Sequence, residues 1–260
     1  MIQLIQPLRI TAEMGGSSSL AITRPEDLAL DGILARAALE DALGDGYYDL
    51  PDARVAPVFV RLPLAMQGDP ATVARMAAYA TGQPLTIASD LDRAWWWWAC
   101  ATARLEGVVA RDTHYWVKRF DTRPQDSDRV DFGGRVEKVV IEGGRYKAYH
   151  QPLAIIACRA VSWACLGDTE ALERLLVGIQ YVGKKRAQGE GAVLRWHVEP
   201  MAVDESLRTT DGVLARPIPL DALNTLDGGY GVAITTGRAY IAYRAPQWLP
   251  YNQALCAVGE

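Results

Sequence analysis

Four tryptophans stand in a row, Trp95, Trp96, Trp97 and Trp98, inside "RAWWWWACATARLEG". Neither regular structure lets four successive side chains face one core: a strand sends neighbours to opposite sides, and a helix turns them about 100° apart. The run must therefore be packed on two sides or leave some of its rings half exposed. Half-exposed rings would serve base stacking or a protein partner, whereas an edge segment packed on both sides would serve the fold alone. The chain is large enough to supply such surroundings. Its 260 residues suit one domain with an elaboration or two small ones, and half of them are apolar.

Charge narrows the partners. The formal net charge is −4 and the pI about 5.5, unlike the strongly basic body of a free-standing, non-specific nucleic-acid binder. Acid is concentrated at the front: residues 1–70 carry five Lys/Arg against ten Asp/Glu, and the remainder 22 against 21. A polyanion site is accordingly expected after residue 70. Cys100, Cys158, Cys165 and Cys256 form no CxxC pair, and His114, His150 and His197 are equally scattered. The spacings of a zinc site are missing, so neither a metal nor another cofactor is expected, and the cysteines read as buried thiols. No run approaches the roughly 18 to 20 apolar residues of a membrane span, and the N-terminus lacks a basic stretch followed by an apolar one. A cytoplasmic protein without membrane contact is expected.

Along the chain, "LRITAEM" (Leu8 to Met14) alternates like a half-buried strand. Leu28, Leu30, Ile33, Leu34, Ala37, Ala38 and Leu39 follow at helical spacing, with Asp27 as the expected N-cap and Gly44-Asp45-Gly46 as the stop. "APVFVRLPLAM" (Ala56 to Met66) reads as a strand that Pro57 and Pro63 confine to an edge or split, and a weaker helical pattern covers about residues 70 to 81. Between Arg111 and Lys147, nine Lys/Arg, Lys118 and Arg119 among them, and seven Asp/Glu interleave with Tyr115, Trp116, Phe120, Phe132 and Tyr146. Cations among aromatics suit stacked, single-stranded nucleic acid, and the two Gly-Gly pairs of this stretch equally suit a long hairpin.

"PLAIIACRAVSWACLGD" (Pro152 to Asp168) predicts a central strand, "TEALERLLVGI" an amphipathic helix with Glu170 and Glu173 at its positive end, and "AVLRWHVEP" (Ala192 to Pro200) a final alternating strand. Further strands are expected around "VLARPIPL" and "YGVAITTGRAYIAYRAP". The sum is an α+β chain of the split βαβ, ferredoxin-like kind. It divides into a domain over 1–210, with an insertion at about 85–150, and a C-terminal β extension over 211–260 packed on it.

Two segments carry candidate chemistry. "YVGKKRAQGEG" (Tyr181 to Gly191), joining the last helix to its strand, sets three successive cations among three glycines. Glycine lets backbone N–H groups approach a ligand and supplies positive φ, while Lys184, Lys185 and Arg186 add charge at the same place; a phosphate is the natural guest, and a solvated turn the plain alternative. The order GxxxxGK[ST] is missing and the loop opens no helix after a strand, which excludes a P-loop enzyme. In "GRYKAYHQPL" (Gly144 to Leu153), alternation sets Arg145, Lys147 and Tyr149 on one face. Two cations and an aromatic there would follow a single-stranded backbone and its bases; a solvent-facing ladder carries the same residues.

Four segments in this order, a first strand running into "LDGILARAAL", then "GRYKAYHQPL", "GKKRAQGEG" and the terminal "YRAPQWLPYNQALC", resemble the RAMP superfamily of CRISPR proteins. Within it the chain is similar to the type IV subunit that corresponds to the guide-capping "five" subunit of type I complexes. The resemblance touches both ends and the middle of the chain; the glycine loop alone is shared by most RAMP proteins. It implies a ferredoxin-like, RRM-like RAMP body without catalytic activity. Such a subunit binds the 5′ handle of a CRISPR guide RNA and caps one end of a ribonucleoprotein filament in antiviral or antiplasmid defence.

RNA contact carries over to Gly183, Lys184, Lys185, Arg186, Gln188, Gly189 and Gly191 of the loop. The resemblance also places Arg145, Lys147, Tyr149 and His150 near the guide end, with Lys118 and Arg119 as further candidates. The backbone and large subunits of the type IV effector complex are the implied protein partners, and contact with target DNA near its flanking motif is left open. Glu190 departs from the pattern, which expects an aromatic or neutral residue there, and residues from Ala71 to Gly107 match nothing in it. The alternative is a metal-independent RAMP endoribonuclease that processes guide RNA, in which a base activates a 2′-OH and cations stabilise the transition state. His114, His150, Tyr149, Lys147 and Tyr115 offer such chemistry, but no spacing sets a base beside an acid.

Overall fold

The computed structural model describes residues 4–16, 19–50, 58–79, 82–83, 95–118, 129–131, 136–138, 149–223, 236–247 and 249–259. In chain order its elements begin with β1 (Ile5–Met14), β2 (Leu20–Ala21), α1 (Leu30–Leu43), β3 (Met66–Gly68), α2 (Pro70–Ala77), β4 (Trp96–Trp98) and β5 (Arg104–Glu106). They continue with β6 (Ala110–Lys118), β7 (Arg129–Asp131), β8 (Val136–Lys138), β9 (Tyr149–Ala157), β10 (Ala160–Asp168) and α3 (Thr169–Leu176). The last are β11 (Val193–Pro200), β12 (Ile218–Pro219), α4 (Leu220–Leu223), β13 (Thr236–Ala242) and β14 (Gln253–Gly259). The fold is α+β with few helices, and every ladder among the described residues is antiparallel.

β1 organises the main sheet. Its alternation turns Leu8, Ile10, Ala12 and Met14 inward, and it pairs with β10 on one side and β11 on the other; β5 adds to β10, giving the order β11-β1-β10-β5. Leu30 and Leu34 of α1 and Leu172 and Leu176 of α3 close over this face in one apolar core. Each such side chain, removed from water, contributes about 1.5–3 kcal/mol. α3 is capped by Asp168, whose carboxylate accepts from the Ala171 amide at 2.9 Å, and α2 by Asp69, which accepts from Thr72 at 2.8 Å.

Three expected elements take a different form. Asp27 does not cap α1: Pro25–Asp27 forms a short 3-10 turn, Leu30 is the first helical residue, and the Asp27 carboxylate folds back to the Thr23 amide at 3.1 Å. The proline-bearing stretch after residue 57 forms no ladder beyond Met66–Gly68. Leu64 makes one isolated bridge to Gly167, and Ala65 donates to Leu166 at 2.9 Å, the irregular pairing that Pro63 permits. The apolar run from 152 to 168 is two strands rather than one. β10 lies inside the main sheet, whereas β9 is the centre of a separate sheet, β2-β9-β6. The hairpin expected from the Gly-Gly pairs is present where described, as β7 paired with β8.

The tryptophan run is packed on two sides. β4 buries Trp96, Trp97 and Trp98, and strand alternation sends them to different cores. Trp96 and Trp98 join the core of the main sheet; Trp97 joins a second core made by Leu214, Ile218, Ala222, Ile241, Tyr243 and Cys256, with the half-buried Trp95 against it. That second core belongs to the sheet β12-β14-β13. Exposed stacking rings are thus not what this run provides. The four cysteines are free and buried, and burial pushes the Cys100 and Cys256 thiols up to about 12 and Cys158 to about 11.

Between the two cores lies a buried cation. Arg216 donates to the main-chain carbonyls of Trp98, Cys100 and Tyr243, so one guanidinium binds β4 and its continuation to the chain leaving β13. Asp31, in the first turn of α1, shares the same small cavity. It accepts from the Gly32 amide at 2.9 Å, the Ala245 amide at 3.0 Å and the Gln247 side chain at 3.4 Å. Burial pushes the Asp31 carboxyl up, and the Arg216 charge and these amides pull it down without cancelling the rise. No helix among the described residues is long and apolar enough to cross a membrane.

Arg216→Met keeps an unbranched apolar stem and removes the guanidinium. It should lower the unfolding free energy by about 3–5 kcal/mol, the cost of a buried charge left without its partner. In the variant the folded pKa of Asp31 rises further above its unfolded value. A raised carboxyl pKa contributes stability below the unfolded value and loses it as pH climbs through the folded one. The deficit against the parent, read from urea midpoints, should therefore shrink as pH falls toward the ordinary carboxylate range; a deficit independent of pH would show that Arg216 does not act on Asp31.

Candidate functional site

The glycine loop leaves α3 and closes on itself before β11. Val182 donates to the Gly191 carbonyl at 2.8 Å, and Tyr181 bridges to Ala192, so the loop has a fixed neck. Its rim is held by the segment around β2: the Lys184 amide donates to Ala21 at 3.0 Å and the Gly191 amide to Ser19 at 2.8 Å. Between them Arg186–Gln188 makes one 3-10 turn, entered through Lys185 in the left-handed region (φ 59°) and left through Gly189 (φ 88°). Gly191 (φ 74°) serves close packing, since a Cβ there would stand 1.8 Å from the Val182 carbonyl oxygen; at Gly189 a Cβ would meet nothing within 4 Å.

The three cations have three different fates. Lys184 is bound to the protein itself: its Nζ lies 3.1 Å from Asp27 Oδ2 and 3.5 Å from Thr23 Oγ1. Burial raises the Asp27 carboxyl, but Lys184 and the Thr23 and Arg24 amides outweigh it, so the group is held below the usual carboxylate value. Lys185 sits over the Trp116 ring, 4.2 Å from its centroid, a cation–π contact. Arg186 turns toward α1, where burial first and the nearby Arg36 guanidinium next hold it below the ordinary guanidinium value. Gln188 is exposed, its amide closing the turn on Lys185 at 2.9 Å.

Trp116 connects the loop to the second predicted segment. β6 and β9 pair so that Trp116 lies opposite Gln151 and Lys118 opposite Tyr149, and this register puts the Trp116 and Tyr149 rings on one face. Trp116 Nε1 donates to the Tyr149 hydroxyl at 2.7 Å. The chain Lys185, Trp116, Tyr149 is therefore continuous, a strip of one cation and two aromatic rings in which Tyr149 is exposed and the other two are half-buried. His150 lies on the opposite face of β9, stacked on Tyr115 with centroids 4.6 Å apart, so it does not belong to that strip. Arg119, Arg145 and Lys147 lie outside the described residues, as does the side chain of Lys118.

Sequence reasoning missed how Glu190 is used. Its carboxylate turns inward, accepting from Ser19 Oγ at 2.5 Å and facing His114 Nδ1 at 3.8 Å. This pins the outer half of the loop to the chain before β2 and to β6. Alternation along β6 puts His114 on the Trp116 face, a signal available in the sequence; the approach of Glu190 from the loop has none. Among the described residues no three His, Cys, Asp or Glu side chains cluster so as to hold a metal ion.

No protein-family model matches the chain, and comparison with curated proteins finds no match.

The two glycines make a contrast that thermal or urea unfolding can measure. Gly189→Ala, with empty space but positive φ, should cost about 1–2 kcal/mol. Gly191→Ala must also move the Val182 carbonyl, so its cost should exceed that of Gly189→Ala; equal losses would mean that the loop neck is not the close contact described.

Proposed function

We propose that this chain is a non-catalytic RNA-binding subunit of a type IV CRISPR ribonucleoprotein, holding the 5′ handle of the guide RNA and capping one end of the filament. The observation that carries this reading is the strip formed by Lys185, Trp116 and Tyr149. Loop cation and strand aromatics, both expected to contact RNA, come from distant parts of the sequence and adjoin. A phosphate at Lys185 and bases on the two rings is the arrangement that single-stranded RNA uses, with each stacked base contributing about 1–3 kcal/mol.

Three further features support it. The order β11-β1-β10-β5, with a helix after β1 and another after β10, is the order that two interleaved split βαβ units produce, as in a ferredoxin-like RAMP core. The net charge of −4 fits a subunit that grips one end of a guide, because counterions are released only where the cations sit. Its acidic front is left for the backbone and large subunits of the complex.

The direct test is to express the chain with its genomic neighbours and sequence the RNA that copurifies: a discrete guide with a fixed 5′ end is expected, and a featureless RNA population would overturn the reading. On that RNA, Lys185→Ala should weaken binding and reduce the salt slope by about 0.7 log unit, one phosphate contact on a single strand. Lys184→Ala, which removes a cation already paired with Asp27, should leave the slope nearly unchanged.

A second reading, a metal-independent RNA-processing endoribonuclease, is favoured by one contact: His114 faces the Glu190 carboxylate at 3.8 Å beside the cationic loop. Labelled repeat RNA incubated with the protein in EDTA separates the two. Intact RNA is expected, whereas cleavage at one position that disappears in His114→Ala would establish the nuclease.

A further inference from the structure

Beside the loop, an open groove of about 1490 Å³ runs between α1 and α3. Its floor is apolar and low, built from Ala37 and Ala38 of α1, Leu175 of α3 and Ile179 in the chain after it, all half-buried. Its lining holds six Lys/Arg and only two Asp/Glu. Part of that charge is already matched, Arg36 by Glu40 at 2.8 Å and Lys184 by Asp27 at 3.1 Å. Arg174 and Arg186 form no ion pair among the described residues. Arg186 moreover stands close enough to Arg36 for the two guanidiniums to repel, with Glu40 as the nearby acid for both. Two guanidiniums and one carboxylate leave a net positive charge at the groove mouth, and planar donors of this kind match a phosphate oxygen pair.

We infer that the groove between α1 and α3 takes one unstacked nucleotide of the RNA strand, its base on the Ala37, Ala38 and Leu175 floor and its phosphate at Arg36 and Arg186. This rests on the RNA-binding reading above and extends it. Lys185 lines the groove and also covers Trp116, so a strand lying on Trp116 and Tyr149 reaches the groove by crossing the loop. Small side chains on α1 leave room for a flat ring; larger ones there would fill the groove. The strand thus turns from a sheet face to a helical face across one loop, and the nucleotide beyond the turn is separated from its neighbours' stack. An acidic segment of a protein partner would match the charges but has no reason to be contiguous with the aromatic strip.

Two variants test this without touching the loop: Ala37→Trp, which fills the groove and keeps its charge, and Arg36→Gln, which keeps its shape and removes a guanidinium. The probe is synthetic single-stranded RNA carrying the repeat-derived end of the guide, with a series shortened one nucleotide at a time from either end, read by fluorescence anisotropy. For wild type, removing one particular nucleotide should weaken binding at least about fivefold, through the loss of one base packed on the apolar floor and one phosphate contact. Both variants should bind the full-length RNA weaker by a similar factor and should be indifferent to that nucleotide, their affinities merging with wild type on the shortened RNA. Variants that match wild type at every length would overturn the groove site and leave the RNA-binding reading standing. Variants weakened equally at every length would overturn it too, since the loss would then not belong to one nucleotide. Absence of RNA binding by wild type would overturn both.

Discussion

The two apolar cores of this protein meet at one buried guanidinium. Arg216 donates to carbonyls of Trp98, Cys100 and Tyr243, so the main chain of β4 and the chain leaving β13 are joined through a single side chain. A charge is tolerated there because three carbonyl oxygens accept from it and the Asp31 carboxylate lines the same cavity; alone there it would be strongly destabilising. Asp31 in turn ties the start of α1 to Ala245 and Gln247. The orientation of α1 over the main sheet thus depends on contacts supplied by the last part of the chain. The start of α1 and the stretch from Tyr243 to Gln247 face one another across this cavity and serve the fold.

From that anchored helix the candidate site follows. α1 forms one wall of the groove, α3 the other, and the glycine loop that follows α3 forms its end. The loop is not a free tether: Ser19, Ala21 and Asp27 hold it from the β2 side, and Trp116 lies beneath Lys185. Preorganisation of this kind costs charge. Lys184 and Glu190 are spent on holding the loop in shape, leaving Lys185 over Trp116 and Arg186 toward α1, both on the rim of the groove. The result is a narrow basic crossing on an acidic protein.

The Glu190 carboxylate has a double consequence. By accepting from Ser19 and facing His114 it removes negative charge from the outer surface of the loop, where a phosphate would approach. It also creates the only juxtaposition of imidazole and carboxylate near the strip among the described residues. An acid that looks unfavourable in a phosphate loop is accommodated because it points into the protein, and the same geometry is what keeps a catalytic alternative open to experiment.

Much of this was legible in the sequence because it is local. Alternation in "LRITAEM" places Leu8, Ile10 and Ala12 in the core, and four consecutive tryptophans must either leave rings half exposed or be packed on two sides, as β4 is between two separate cores. Glycine and charge mark the loop as unusual for the same reason. What periodicity reports is which side of an element is apolar, not what stands opposite. It therefore gives no sign that the run from 152 to 168 divides between two sheets, that Asp27 serves Lys184 instead of capping α1, or that Lys185 rests on Trp116. Those are pairings between groups far apart in sequence, selected by how β2, β6 and the loop are brought together. Only the tertiary structure decides which cations are consumed in holding the fold and which are left to meet a ligand.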